Sequence, residues 1–344
     1  MFALSPLPRT LEAALRDVHD KKVPVRRSAL ADLQRYATEP EARAELRRVL
    51  HQDAAPVVRR EVAAAMGATG LKEFTEALLR ATTDPALEVR QMAVLALGEV
   101  RAEGPQVVRA LEKFLDSEGP AFRFQSLLAL SQIAPAIARP HLMKALRDDD
   151  VEVSYLAVRL LEENWLSASP INDDVLAAVQ KQAAHSSPRV RLAVGLALVR
   201  WVPEVGAKLL AEILNARYKI VDPEDEQSAI ELSGELSISA ALPGLRRRAF
   251  PPLFMPKGPF AWHATASLAR LGDAQAKAVI FRGLRAFFRD QRNLAVAAAG
   301  AARLAEARPL LEGLSGKPRV VDPVTLEEAL AQLGSYPTIN PPLP

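Results

Sequence analysis

The chain contains no cysteine, which excludes a disulfide framework, a thiolate metal site, a lipoprotein anchor and a cysteine nucleophile. Aromatic residues make up only 5% of its 344 residues, so the interior cannot be built around large rings. It must be filled by Ala, Leu and Val, which suits closely packed helices better than a β core. No apolar run approaches the roughly 18 residues that span a bilayer. Met1 to Arg9 shows neither a basic leader nor a continuous apolar stretch, so no signal peptide is expected and the cytoplasm is the expected compartment. Gly-rich phosphate loops and the Gly-x-Ser-x-Gly elbow are missing. None of His19, His51, His141, His185 and His263 has a second His three or four residues away, so no helix-borne metal pair is expected, nor any cofactor. The net charge of +3 is too small to imply nucleic acid by itself.

What the chain does have is a recurring phrase. An acidic or capping residue is followed about five positions later by an apolar residue plus Arg, then a small residue, then Leu or Met. Copies read Asp20 to Val25-Arg26, Ala29, Leu33; Asp53 to Val58-Arg59, Val62, Met66; and Asp84 to Val89-Arg90, Ala93, Leu97. Looser copies start at Phe122-Arg123, Val153-Ser154 and Val190-Arg191. These anchors are separated by 33, 31, 33, 31 and 37 residues, the period of a stacked array of helical hairpins. The anchor and the residues four and eight later share one helix face, which is therefore the buried face of the second helix of each pair. Asp84-Pro85, Ser187-Pro188, Asp222-Pro223 and Asp322-Pro323 each place Pro after a capping side chain, a helix-start signal. The recurrent Asp and Arg have two readings, a charged binding stripe or an internal ladder in which Asp caps a helix and Arg reaches the neighbouring repeat. Recurrence in every unit favours the ladder, and Ser154 breaks it.

The phrase Asp84-Pro-Ala-Leu-Glu-Val-Arg-Gln-Met-Ala-Val-Leu-Ala-Leu-Gly98 resembles the HEAT repeat in its short, phycobilisome-lyase-like form. The expected fold is all-α, an α-solenoid of stacked antiparallel helix pairs over residues 1–334 with about ten repeats. They are clear over 10–200 and degenerate over 201–334. The resemblance implies a curved right-handed stack with the second helices on the concave side. Later hairpins are expected around Gln227–Leu236, Ala264–Gly272, Leu294–Leu304 and Leu326–Gly334. Residues 244–262, with three consecutive Arg and then Pro, Gly and aromatic punctuation, are expected to interrupt the array as an inserted loop. That loop is either a strap burying Phe250, Phe254 and Phe260 or a binding element. Residues 335–344 read as a Pro-rich tail.

The resemblance also brings enzymatic relatives to test. Di-iron hydroxylases of this repeat class use His-Glu dipeptides, but here His is followed by Asp, Gln, Leu, Ser and Ala. Alkylpurine DNA glycosylases need an Asp near Trp, and Trp165, Trp201 and Trp262 have no such neighbour in the phrase. No bilin-site motif is present. Two surface features remain. On the second helices, positions two, three and six past each anchor are mixed in the first two repeats, with Arg27, Arg60 and Glu61, and turn apolar in repeats three to six. The expected partner-binding stripe is Met92, Leu95, Phe124, Gln125, Leu128, Tyr155, Leu156 and Arg159, with Phe124 and Tyr155 forming one platform; the competing reading of each is core. Met and aromatics edged by Gln and Arg suit a protein or peptide partner. The second feature is a possible basic patch of Arg246, Arg247, Arg248, Arg282, Arg285, Arg289 and Arg292, within residues 244–303, which carry eleven Lys and Arg against two acids. The sequence therefore points first to a non-enzymatic protein-binding scaffold without a membrane segment, and secondly to a nucleic-acid-binding array or a lyase-like modifying subunit.

Overall fold

The computed structural model describes residues 8–116, 119–167, 172–216, 219–252, 256 and 258–334. Among them every regular element is helical. The chain divides into two compact units, 1–175 and 176–344. The N-terminal unit holds five antiparallel pairs: α1 Leu11–Asp17 with α2 Val23–Arg35, α3 Pro40–Gln52 with α4 Pro56–Thr69, α5 Thr75–Ala81 with α6 Leu87–Glu99, α7 Pro105–Leu115 with α8 Pro120–Ile133, and α9 Pro135–Ala145 with α10 Val151–Leu161. A π-helical turn, Glu162–Leu166, extends α10. Helix α11, Asp173–Gln180, spans the division. The C-terminal unit continues with α12 Pro188–Leu198, then α13 Pro203–Asn215 with α14 Pro223–Glu235, α15 Leu242–Ala249 with α16 Ala261–Arg270, α17 Ala274–Leu284 with α18 Arg289–Ala301, and α19 Arg308–Glu312 with α20 Pro323–Gly334. Within the N-terminal unit α2, α4, α6, α8 and α10 pack side by side in that order, and within the C-terminal unit α12, α14, α16, α18 and α20 do the same.

The repeated apolar positions make the core. Val58, Val89, Val153 and Val190 are fully buried, as are Ala93 and Leu97. Glycine follows the last of these positions where adjacent second helices touch. A Cβ on Gly98 would lie 3.0 Å from Ala129 Cα, and one on Gly300 would lie 2.6 Å from Ala329 Cα, so the absent side chain is what lets α6 meet α8 and α18 meet α20. The second helices of several pairs end on a residue with positive φ: Gly70, Arg101, Ser237, Gly272 and Arg303. Arg101 at φ 48 carries the steric cost of a left-handed backbone without being glycine. Arg101→Gly is expected to raise stability by up to about 1 kcal/mol, because the relieved strain exceeds the added chain entropy of glycine. Chemical denaturation of the two proteins measures this difference directly.

The ladder is present in the N-terminal unit. Arg26 makes two bonds to Asp53, at 2.7 and 2.9 Å. Arg59 makes two of 2.8 Å to Asp84, and Arg123 two of 2.8 and 2.7 Å to Asp148. In the gap between these rungs Arg90 lies over the ring of Phe122, 5.9 Å from its centroid. Each of these Asp residues also accepts the N–H two residues on, holding the turn before its helix. The Arg side chains have a second task that spacing alone did not suggest. Arg26, Arg59, Arg90 and Arg191 each donate to the carbonyl six residues back, that of Asp20, Asp53, Asp84 or His185, at 2.8 to 3.0 Å. Ser154 donates to Asp148 O at 2.8 Å in the same way, so it loses the rung but keeps the latch.

Several expectations need correction. The helix after Asp84 begins at Leu87, because Asp84 accepts the Ala86 N–H and places Pro85 in the turn. The interruption expected over 244–262 is shorter. The three arginines lie in α15, which runs to Ala249, and α16 resumes at Ala261. Proline and glycine stop the helix only after Ala249, since Arg is itself a good helix former. Phe250 and Phe260 pack against the core from the short segment between the two helices; Phe254 and the tail 335–344 lie outside the described residues.

Candidate interaction faces on the second helices

In the N-terminal unit the residues two, three and six past each anchor, Leu156 excepted, are exposed or half-buried on the second helices. The first two repeats are charged there: Arg27 donates to Glu61 at 2.7 Å, with Arg60 alongside. On α6 the set becomes Gln91, Met92 and Leu95; on α8 it is Phe124, Gln125 and Leu128; on α10 it includes Tyr155 and Arg159. Met92, Leu95, Phe124, Gln125, Leu128, Tyr155 and Arg159 are all half-buried. Leu156 is 9% exposed and belongs to the core rather than to the expected stripe. In the sixth repeat Leu192, Ala193 and Leu196 are likewise buried, so the apolar stripe does not continue onto α12. Phe124 and Tyr155 occupy equivalent places on adjacent helices; beside them Phe114 stacks on Phe122, centroids 4.8 Å apart. Gln125 Oε1 is buried without a hydrogen-bond donor, and Arg159 donates to Glu162 at 2.6 Å.

The expected basic patch is dispersed by its own partners. Arg246 donates twice to Asp273, at 2.9 and 2.6 Å. Arg247 reaches the carbonyls of Leu214, Asn215 and Ala216 at the end of α13, and Arg248 donates to Glu226 at 2.7 Å and to Leu214 O. Arg292 spans the carbonyls of Ala286 and Val320, and Arg289 lies 3.8 Å from Asp322. Cations at helix C-termini satisfy the last carbonyls of the helix. Of the set only Arg282 and Arg285 are exposed without such a partner among the described residues, too few for a phosphate track.

A third surface was not legible in the sequence. On the C-terminal unit a groove of about 450 Å³ crosses α14, α16 and α18 and reaches α20. One end is formed by Trp262, His263 and Leu294, the other by Arg270, Arg303 and Gln332, and the floor between by Ala266, Ala297 and Gly300. His263 Nδ1 and Glu231 Oε1 are 2.8 Å apart, and Glu235 is held by Arg200 at 3.3 Å. Burial, and then the adjacent Arg303, push the Arg270 guanidinium below its ordinary value, against a weaker pull from Glu235. The described residues contain no group of three side chains suited to a metal. Among the described residues no helix is long and apolar enough to cross a membrane.

The profile of the HEAT-repeat family matches residues 8–98 and 75–162. Residues 8–162 are HEAT repeats. The structure of Escherichia coli YibA is 18% identical with a TM-score of 0.52, covering 77% of this chain and 93% of that one, and it shows the same helical-repeat fold beyond the HEAT segment. Other similar structures are the CpcE and CpcF complex of phycocyanin lyase from Nostoc, 20% identical with a TM-score of 0.44 over 79% of this chain and 98% of that one, and a designed armadillo repeat protein in complex with the peptide (KR)4, 18% identical with a TM-score of 0.42 over 58% and 100%. No curated protein sequence matches the chain.

Proposed function

We propose that the protein is a non-enzymatic scaffold that holds a segment of another protein against the second helices of its N-terminal HEAT repeats. The observation that supports this reading is the run of half-buried Met92, Leu95, Phe124, Leu128 and Tyr155 on three consecutive second helices. The same positions one and two repeats earlier are occupied by an Arg and Glu ion pair, the ordinary state of a solvated helix face. Large apolar side chains with rigid rings, bordered by Gln125 and Arg159, are the residue types that anchor protein interfaces. Compartment and partner follow from this reading as a soluble protein partner in the cytoplasm.

The test is affinity capture from the native cell with the full chain, followed by measurement of the captured partner's affinity. Phe124→Ala is expected to weaken that affinity by about 30-fold or more, as for an interface hot spot, and Phe124→Ala with Tyr155→Ala is expected to abolish capture. The thermal midpoint of both variants is expected to remain close to that of the parent. Unfolding of the variants would place the stripe in the core, and unchanged capture would remove it from the interface.

A further inference from the structure

The groove on α14, α16, α18 and α20 carries a reading independent of the N-terminal stripe. Its floor is made of small residues, Ala266, Ala297, Ala298, Gly300 and Ala301, so the second helices leave a trough where longer side chains would fill the space. Gly300 has to be bare for α18 to approach α20, and the trough is a by-product of that close packing. At about 450 Å³ it has the size of a site that accepts one or two side chains of a ligand.

The two ends differ in chemistry. Trp262 and Leu294 form an apolar end. Leu294 is 46% exposed, and the Trp262 ring lies over Gly283, where a Cβ would come within 3.1 Å of it. The opposite end holds Arg270 and Arg303. Neither guanidinium has a hydrogen-bond acceptor among the described residues, unlike Arg246, Arg248 and Arg292 in the same unit. The acids along the rim do not supply one, since Glu231 is engaged by His263 and Glu235 by Arg200. Two adjacent guanidiniums, one of them half-buried, are therefore left with unfilled donors that match a carboxylate in bidentate geometry. Burial and mutual repulsion already disfavour the charge on Arg270, so an incoming anion would relieve it.

We propose that this groove receives an acidic peptide segment, with a carboxylate held by Arg270 and Arg303 and a large apolar side chain against Trp262 and Leu294. The spacing of the two subsites follows from helix geometry. Trp262 and Arg270 are eight residues apart on α16, about 12 Å along the axis at 1.5 Å per residue. An extended peptide covers that distance in about three to four residues. The recognised pattern is a large apolar residue and an acidic residue three or four positions apart. Gln332 stands beside the basic end as a further donor.

The experiment uses the full chain and fluorescein-labelled peptides, Gly-Ser-Leu-Phe-Gly-Ser-Glu-Gly-Ser and the reversed order of its Phe and Glu, with fluorescence anisotropy as the readout. One of the two orders is expected to bind saturably at low ionic strength, and replacing its Glu by Gln is expected to weaken binding tenfold or more. Arg270→Gln should abolish the discrimination between the Glu and Gln peptides. Arg303→Gly should weaken the Glu peptide by a similar factor without lowering the thermal midpoint, because position 303 has a positive φ that glycine adopts readily. Phe124→Ala should leave peptide binding unchanged, which separates this site from the N-terminal stripe. The proposal is overturned if neither order binds, if Glu and Gln peptides bind equally, or if Arg270→Gln and Arg303→Gly have no effect. Tighter binding of a twelve-nucleotide single-stranded DNA through the same two arginines would also overturn it, assigning them to phosphate.

Discussion

Leu97→Ala is expected to lower the unfolding free energy by roughly 2–5 kcal/mol, measured by urea denaturation of the full chain. Leu97 is fully buried, eight residues past its anchor on α6, a helix packed against α4, α5 and α8. Loss of its isobutyl group removes apolar burial and leaves a cavity that two closely packed neighbours cannot collapse into. Gly98, the next residue, already places a would-be Cβ 3.0 Å from Ala129, so inward movement of the helix is limited. Leu87→Ala on the same helix is the control. Leu87 is 49% exposed, and its truncation is expected to cost less than about 0.5 kcal/mol. Similar losses for the two variants would mean that the faces of α6 are assigned wrongly.

The second large effect concerns the ladder. Asp84→Ala is expected to cost about 3 kcal/mol, because Arg59 would keep its charge in a site where its side chain is only 10% exposed and would lose two charge-assisted bonds. The same change removes the acceptor for the Ala86 N–H. Burial pushes the Asp84 carboxyl upward, but the Arg59 hydrogen bond, the Ala86 N–H and the charges of Arg59 and Arg90 together hold it below the usual carboxylate range. Asp148 is depressed in the same way, with burial outweighed by Arg123, the Asp150 N–H and Lys144. A depressed folded-state value means that stability from these pairs is fully present above the unfolded carboxylate value of about 4 and is lost as the pH falls through the folded values. The parent chain should therefore lose stability on acidification below about pH 4, and Asp84→Ala should show a shallower loss. An identical acid profile for the two proteins would show that the rung is not coupled to folding.

The repeat architecture was readable because one physical requirement, burial of a helix face at fixed spacing, is written into every copy. Val58, Val89 and Val190 mark that face in sequence and are fully buried in the structure. The ladder was readable for the same reason, since Asp and Arg recur with the period. The i−6 carbonyl latch was not, because a backbone acceptor leaves no trace in residue identity; only Ser154, whose hydroxyl takes over the same contact, hints at it. The C-terminal register was obscured by replacement of the Val-Arg pair. Arg292 still occupies the latch position, donating to the carbonyl of Ala286, but Gln291 stands where the apolar anchor would be. With that register unknown, Trp262 was read as the end of a loop, although it sits on α16 at the place that Gln91 holds on α6. The groove beside it depends on small residues from α16 and α18, and a gap made by side chains that are absent is the hardest feature to see in a sequence. The dispersal of the basic patch was hidden for the opposite reason: the arginines are conspicuous, but their acceptors include main-chain carbonyls and acids as far as 34 residues away.

The rungs have a bearing on how such a chain changes length. From Asp53 to Arg59 and from Asp84 to Arg90 the interval is the same six residues. Excision of residues 54–84 would join Asp53 directly to Pro85, leaving a turn of unchanged length before α6. Asp53 would still receive Arg26, its main-chain carbonyl would fall six residues before Arg90, and Arg90 would still face Phe122. The shared connector at Asp53 and Asp84 makes the repeat between them a cassette, so its gain or loss preserves the register of the repeats on either side.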